Sequence, residues 1–142
     1  MKKTRVLFVC IHNSARSQMA EAFLNASGKN LFEAESAGIE PGKLNPFVVE
    51  AMRDEGIDIS GNSTKSVADM IAKNKTYDFV ITVCDPKASE MCPVFPGGTK
   101  RLHWEFEDPS SFAGSDDEQY AFARIVRDKI KDRVLMFIKE LK

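Results

Sequence analysis

The stretch RVLFVCIHNSARSQMAEAF, residues 5–23, predicts the first strand and the first helix of this chain and the loop between them. It begins with an apolar run that ends at Cys10 and is typical of a strand buried on both faces of a sheet. Arg16 follows after five residues, and segment 17–27 then has its apolar residues at the spacing of a helix. A structural turn from strand to helix needs neither a cysteine nor an arginine, so this pair indicates chemistry.

The rest of the chain alternates strands and helices in the same way. Apolar runs bounded by turn residues predict three further strands, at 32–38, 77–84 and 99–104. Two of the further helices begin with a serine at capping-box spacing from an acidic residue, and the three helices are predicted at 46–56, at 66–74 and from Ser115 onward. This alternation predicts an α/β fold in a single domain, residues 1–142, with a four-stranded parallel sheet flanked by helices in three layers.

The predicted C-terminal helix has one apolar stripe, which we expect to be buried against the rest of the protein. The stripe repeats at spacings of three or four residues and consists of Phe122, Val126, Ile130, Val134, Phe137 and Leu141.

Composition and charge exclude several classes of function. The 142 residues carry a formal net charge of −1, and their lysines and arginines are scattered, so binding to nucleic acid or to an acidic membrane is not expected. No run approaches the ~18 apolar residues of a membrane span, and no signal peptide is recognised at the start. We therefore expect a cytoplasmic protein and, by default, a monomer.

No motif indicates a bound cofactor. The PGGTK stretch, 96–100, lacks the first glycine and the following helix of a nucleotide-binding loop. His12 and His103 have no cysteine partners at zinc-site spacing, so we expect neither a metal nor an organic cofactor.

The loop after Cys10 is predicted to bind an oxyanion. In a parallel sheet, ligands bind beyond the carboxyl ends of the strands, and a tight loop entering a helix points several backbone N–H groups into one concavity. Arg16 adds a planar fork of donors, and the same donors favour a thiolate at Cys10. The alternative is a buried cysteine that only ends a strand. The expected binding residues are Ile11, His12, Asn13, Ser14, Ala15, Arg16 and Ser17.

Two details of this loop support the prediction. Ser17 follows the arginine directly and can donate its hydroxyl to the cysteine sulfur. Asn13 tolerates the left-handed backbone conformation that such a loop usually requires.

These residues resemble a known family. The VLFVCIHNSARSQMAEAF stretch is similar to the phosphate loop of the low-molecular-weight protein tyrosine phosphatase fold, and its C-x-x-N-S-A-R-S-Q-M-A-E form resembles the thioredoxin-coupled arsenate reductases built on that fold. Further counterparts are AESAG (34–38), GIDIS (56–60), VCD…CP (83–93) and HWEFEDP (103–109). The resemblance implies a four-stranded parallel sheet, arsenate or phosphate as the bound oxyanion, and thioredoxin or a similar dithiol as reductant.

The resemblance also implies catalytic roles. Cys10 is the nucleophile, Arg16 holds the anion, and Asp108, followed by Pro109, protonates the departing oxygen. Cys84 and Cys92 then carry a disulfide away from Cys10. From the residues alone, the Asp-Pro pair also fits a surface turn, and Glu105 and Glu107 are taken as solvated.

The three cysteines are an odd number in a reducing compartment, so either thiol chemistry or inert packing is expected rather than structural disulfides. Cys84 ends a predicted strand at the edge where Cys10 lies, although an inert core thiol is the alternative. Cys92 is flanked by the polar stretch DPKASEM, which predicts a polar setting and a segment able to move.

Several members of the family hold a monovalent cation near the loop with an asparagine, a glutamate, a serine and an aspartate. Asn13, Glu21 and Ser36 match the first three, and Lys65 stands at the aspartate position. The resemblance therefore implies that the Lys65 ammonium replaces the cation, pairs with Glu21 and makes potassium unnecessary.

Two other functions remain open from the sequence. A low-molecular-weight phosphatase acting on phosphotyrosine would need no further thiols, and it typically has tyrosines just after the Asp-Pro pair, where this chain has SSF, 110–112. A redox-sensing or phosphate-binding module without turnover would need no acid at Asp108.

Overall fold

A computed structural model of the protein describes residues 3–84, 90, 92, 95 and 98–141. Its four strands form one sheet in the order β2-β1-β3-β4, and every neighbouring pair is parallel. The strands are β1 (Thr4–Cys10), β2 (Phe32–Gly38), β3 (Phe79–Thr82) and β4 (Lys100–His103). The predicted α/β fold with a four-stranded parallel sheet is thus confirmed.

The helices of the described residues also lie where the sequence pattern predicts them, with shorter bounds for two of them. They are α1 (Arg16–Ser27), α2 (Pro46–Arg53), α3 (Val67–Ala72) and α4 (Asp116–Leu141). Side chains fix where three of them begin: Asn45 caps α2 and Ser66 caps α3, while Ser115 and Glu118 form a reciprocal capping box at α4. None of the described helices is both long and apolar enough to cross a membrane.

The apolar stripe of α4 is confirmed in its central part. Val126, Ile130, Val134 and Phe137 are buried, and Phe122 is partly buried. Leu141 is the exception, because 44% of it is exposed. The prediction that Leu141 is buried is therefore wrong. The residue lies on the same helix face but in the last turn, where the helix extends past the core.

Alternate residues of β1 face two apolar layers. Val6, Phe8 and Cys10 point into the larger cluster, here called the first layer, which also contains buried residues of α1, α2 and α4. Leu7 and Val9 point into the smaller cluster on the opposite face of the sheet, here called the second layer, which contains buried residues of α3. The sheet thus has helices on both faces, which gives the three layers predicted from the sequence.

Parallel pairing brings the carboxyl ends of the strands to one edge of the sheet. Cys10 is paired with Gly38, and Thr82 is paired with His103. The loops after β1, β3 and β4 therefore leave the sheet on the same side. These are the loops that hold the predicted site.

Candidate active site

The nucleophile loop, residues 11–15, has its backbone carbonyls turned outward. The segment after β2 donates one N–H···O bond to the carbonyl of Cys10, from Ile39 (3.1 Å), and three to the loop: Glu40 to Ile11 (2.8 Å), Gly42 to His12 (2.9 Å) and Asn45 to Ser14 (2.9 Å). In a planar trans peptide, the next N–H points opposite to the carbonyl. The amides of 11, 12, 13 and 15 therefore face inward, the arrangement that an oxyanion cradle requires.

Backbone conformation at two positions makes this loop possible. Asn13 has a φ of 56°, so the left-handed conformation predicted for it is confirmed. Gly38 lies against the loop, where a Cβ atom would come within 2.8 Å of the Asn13 nitrogen. Only glycine allows β2 to approach the loop this closely.

Hydrogen-bond donors surround the Cys10 sulfur. The backbone N–H of Asn13 donates to Sγ at 3.2 Å, and the Ser17 hydroxyl oxygen lies 2.9 Å from Sγ. The Asn13 side-chain amide donates to that same hydroxyl oxygen at 2.8 Å. Because the Ser17 oxygen accepts from Asn13, its own proton is available to donate to the sulfur. The predicted role of Ser17 thus matches the geometry.

Gln18 was not predicted as a site residue, but it supports Asn13. Its amide donates to the Asn13 side-chain oxygen at 3.1 Å, and the Lys65 backbone N–H donates to the same oxygen at 2.9 Å. Both bonds orient Asn13 so that its Nδ2 faces Ser17. Gln18 is fully buried on the first turn of α1, where its amide requires hydrogen-bond partners, and only the structure shows this burial.

Arg16 and Asp108 come together above the cradle. The Arg16 guanidinium is buried, donates through Nη1 to the Phe106 carbonyl at 3.1 Å and lies 3.6 Å from the Asp108 carboxylate through Nη2. Its Nε is buried without a hydrogen-bond partner in the part of the chain that the structure describes. A buried guanidinium with an unused donor is suited to a tetrahedral anion, which supplies the missing acceptor.

The Asp108 carboxylate is fixed by its own loop. Oδ1 accepts from the Ser110 backbone N–H and Oδ2 from the Ser111 hydroxyl, both at 3.0 Å. These bonds cap the single 3-10 turn Pro109–Ser111. The Asp-Pro pair therefore begins a turn, which was the alternative considered from the sequence. The same turn also orients the Asp108 carboxylate toward Arg16.

An open cleft of about 520 Å³ lies over these groups. Glu105 and Glu107 are exposed, as predicted, but both line this cleft, and Lys129 of α4 lies 3.5 Å from Glu107. Lys129 was not among the predicted site residues, because a lysine on the exposed face of a helix carries no signal of its own. The lining residues are Ile11, Arg16, Glu105, Phe106, Glu107, Asp108, Ser111 and Lys129.

The three cysteines are thiols and all are buried, but they do not share one environment. Cys84 follows β3 and is completely buried in the first layer, the layer that contains Cys10. Cys92 lies in the second layer with residues such as Phe95 and Val67, and only 4% of it is exposed.

The predicted polar setting of Cys92 is therefore wrong. Apolar residues distant in sequence, from β1, β2 and α3, surround it, and the local polar flank could not reveal them. Burial raises the pKa of the Cys92 thiol, and the positive charge of Arg101 opposes this only in part. In the polar stretch 85–91, only Glu90 lies within the described residues. In the PGGTK stretch, 96–100, only residues 98–100 do.

The four residues predicted to replace a cation site also come together. The Lys65 ammonium lies 3.9 Å from the Glu21 carboxylate, and the Ser36 hydroxyl donates to the same carboxylate oxygen at 2.7 Å. Lys65 contacts Asn13 through its backbone. Burial raises the pKa of Glu21, more than Ser36 and Lys65 lower it. Within the described residues, no group of three or more His, Cys, Asp or Glu side chains is arranged to hold a metal ion.

Comparison with known proteins gives concordant matches. Residues 5–142 match the family described as low molecular weight phosphotyrosine protein phosphatase. A protein of Oceanobacillus iheyensis named arsenate reductase is 43% identical over 143 residues, which covers 98% of each chain.

Comparison with solved structures also gives matches to proteins named arsenate reductase. An arsenate reductase from Archaeoglobus fulgidus has a TM-score of 0.76 at 31% identity, with 94% of this chain and 98% of that chain covered. A thioredoxin-dependent arsenate reductase from Corynebacterium glutamicum has a TM-score of 0.72 at 28% identity, with 99% of this chain and 62% of that chain covered.

Proposed function

The chain belongs to the low molecular weight phosphotyrosine protein phosphatase family, and we propose that within it the protein is a thioredoxin-dependent arsenate reductase with three cooperating thiols. The observation that carries this proposal is the position of Cys84. It follows the strand next to β1 and lies in the same buried layer as Cys10. A phosphatase that hydrolyses its phosphocysteine with water has no use for a second thiol there.

The first step is attack of the Cys10 sulfur on arsenic(V). The inward amides of the nucleophile loop and the free Nε of Arg16 hold the oxyanion, while Ser17 and the Asn13 amide stabilise the thiolate. Asp108, beside Arg16, protonates the departing oxygen, which leaves as water. The product of this step is a covalent bond between sulfur and arsenic(V).

The second step moves two electrons onto arsenic. The Cys84 thiolate attacks the Cys10 sulfur, the sulfur–arsenic bond breaks, and its electron pair leaves with arsenic as arsenite. One arsenate and two thiols thereby give one arsenite, one disulfide and one water. The shared layer of Cys10 and Cys84 favours this pairing.

The third step carries the disulfide outward. Cys92 attacks Cys84, Cys10 is released, and a dithiol such as thioredoxin reduces the Cys84–Cys92 disulfide. In the reduced protein, Cys92 is buried on the opposite face of the sheet, where its raised pKa keeps it protonated and unreactive. Cys92 must therefore leave the second layer before it attacks. We expect this movement to follow formation of the Cys10–Cys84 disulfide.

The surroundings of the acid argue against phosphotyrosine as substrate. The aromatic residue after the Asp-Pro turn is Phe112, and its ring stacks on Phe122 of α4 with centroids 4.6 Å apart. It is thus engaged in packing. Phe106 is the aromatic residue among those that line the cleft, and the lining residues that the structure describes include no tyrosine.

A coupled assay tests this function. Oxidation of reduced pyridine nucleotide is followed with thioredoxin and thioredoxin reductase, with and without arsenate, and hydrolysis of an aryl phosphate is measured in parallel. We expect arsenate-dependent oxidation that requires thioredoxin. Rapid aryl phosphate hydrolysis without arsenate-dependent oxidation would favour the phosphatase instead.

Replacing Asp108 by asparagine should lower kcat for arsenate by about 10²- to 10⁴-fold, because the leaving oxygen loses its proton donor. Glu105→Gln removes another carboxylate of the same cleft and serves as the matched control, with a much smaller expected effect. Single-turnover formation of arsenite is the measurement. Equal effects of the two substitutions would mean that charge in the cleft, rather than protonation by Asp108, controls the rate.

Turnover should be the same in potassium chloride and in sodium chloride of equal ionic strength, because the Lys65 ammonium already neutralises Glu21. Lys65→Asp places a second carboxylate there, so potassium should then raise both Tm and turnover. Lys73→Asp, on an exposed lysine just after α3, is the control for added negative charge. Strong potassium activation of the unsubstituted protein would contradict the assignment of Lys65.

A further inference from the structure

We propose that Asn45 is a positioning residue. In addition to capping α2, it aligns the turn Pro109–Ser111, which orients Asp108, with the nucleophile loop. This inference deepens the reductase function proposed above and rests on it. Asn45 contacts three segments next to the cleft: the start of α2, the nucleophile loop and the turn Pro109–Ser111.

Each polar group of Asn45 that faces these parts makes a different contact. The side-chain oxygen accepts from the backbone N–H of Phe47 at 2.8 Å and of Val48 at 3.3 Å, which is the helix cap. The backbone N–H donates to the Ser14 carbonyl at 2.9 Å. The side-chain Nδ2 donates to the Ser110 hydroxyl at 3.0 Å, 65 residues away in sequence.

The contact with Ser110 leads directly to the acid. The backbone N–H of Ser110 donates to Asp108 Oδ1 at 3.0 Å, so the position of Ser110 fixes one oxygen of the carboxylate. The Ser110 hydroxyl also lies 3.5 Å from the Ser14 hydroxyl, across the gap between the two loops. Asn45 therefore holds the Asp108 turn at a set distance from the loop that binds the oxyanion.

Capping alone does not account for an asparagine at this position. Serine, aspartate and asparagine cap helices about equally well, because the cap needs only a side-chain oxygen. The Nδ2 donor is the group that distinguishes asparagine, and here its partner is Ser110. The bond is solvent-exposed, so it contributes little to folding stability, but a hydrogen bond of this kind still restricts where the turn lies.

The test uses substitutions that remove this bond while keeping the cap. Asn45→Ser retains an oxygen for α2 and the backbone bond to Ser14 but loses Nδ2. Ser110→Ala removes the acceptor and leaves the Ser110 N–H on Asp108. Thr99→Val deletes a hydroxyl that donates to the Tyr77 carbonyl at the opposite end of the sheet, and it serves as the matched control. Each variant, the double variant and each single variant combined with Asp108→Asn are compared by single-turnover arsenite formation.

We expect Asn45→Ser and Ser110→Ala each to lower the single-turnover rate at saturating arsenate by about three- to tenfold. Tm and the arsenate concentration at half-saturation should stay near those of the unsubstituted protein, and so should the rate at which thioredoxin reduces the oxidised protein. The double variant should be no slower than either single one. In the Asp108→Asn background, neither substitution should slow the reaction further, because the bond acts through Asp108.

Two results would overturn the inference. One is a single-turnover rate unchanged by both substitutions. The other is an equal loss in the Asp108→Asn background, which would mean that Asn45 acts on the nucleophile loop and not on the acid. Absence of arsenate reduction by the unsubstituted protein would instead contradict the proposed function, and with it this inference.

Discussion

Replacing Cys10 by serine should abolish arsenate reduction, with a loss of about four orders of magnitude or more. The hydroxyl is a far weaker nucleophile than a thiolate, although the backbone amide of Asn13 and the Ser17 hydroxyl can still form hydrogen bonds to it. We expect the variant to bind inorganic phosphate as the unsubstituted protein does, because the backbone amides and Arg16 form the cradle. Calorimetric titration with phosphate measures the binding, and the coupled thioredoxin assay measures arsenate turnover.

The control for Cys10→Ser is Arg16→Lys. A lysine retains one positive charge but not the planar fork or the Nε donor, so phosphate binding itself should weaken. Substantial arsenate turnover by Cys10→Ser would show that another group is the nucleophile. Loss of phosphate binding by Cys10→Ser would show instead that the loop has collapsed, and the activity loss would then not report on the sulfur.

Replacing Cys84 by serine should also abolish steady-state reduction of arsenate, but at a later step. Attack by Cys10 can still occur, whereas no neighbouring thiol in the first layer is left to displace arsenite. We expect no arsenite release above that of a sample without enzyme, together with unchanged binding of phosphate. Arsenite is measured directly after rapid quenching, without the coupling enzymes.

Cys92→Ser is the comparison that makes the Cys84 result specific. It should release one arsenite per protein molecule and then stop, because Cys10 and Cys84 remain while the third thiol is missing. If Cys84→Ser turned over arsenate at the normal steady-state rate, the relay would be wrong. If Cys92→Ser turned over continuously, the final disulfide would form elsewhere.

The sheet and the nucleophile loop could be predicted from the sequence because local signals determine them. The apolar run of β1, the C-x5-R-S spacing and the start of α1 lie within a few residues of one another. The left-handed Asn13 and the position of Ser17 beside the sulfur follow from the same short stretch. Local spacing therefore predicts the nucleophile loop, and the alternation of such local patterns along the chain predicts the fold class.

The remainder of the site depends on contacts between distant segments. Cys92 is buried because residues of β1, β2 and α3 pack around it, and its polar sequence neighbours gave the opposite expectation. Asn45 and Gln18 act through partners 65 and 45 residues away, at Ser110 and Ser63. Lys65 is an intermediate case, because its place beside Glu21 was inferred from the family resemblance and the structure brings the two together.

Mapping of the disulfides after one turnover shows whether the oxidised bond passes from Cys10 to Cys84 and Cys92. The reduced protein is mixed with an equal amount of arsenate without reductant, quenched with acid, alkylated and digested, and the linked peptides are identified by mass spectrometry. A Cys84–Cys92 disulfide in the unsubstituted protein and a Cys10–Cys84 disulfide in Cys92→Ser are the results that the relay predicts. Arsenite release with all three thiols still reduced, or a Cys10–Cys92 disulfide in the unsubstituted protein, would contradict it.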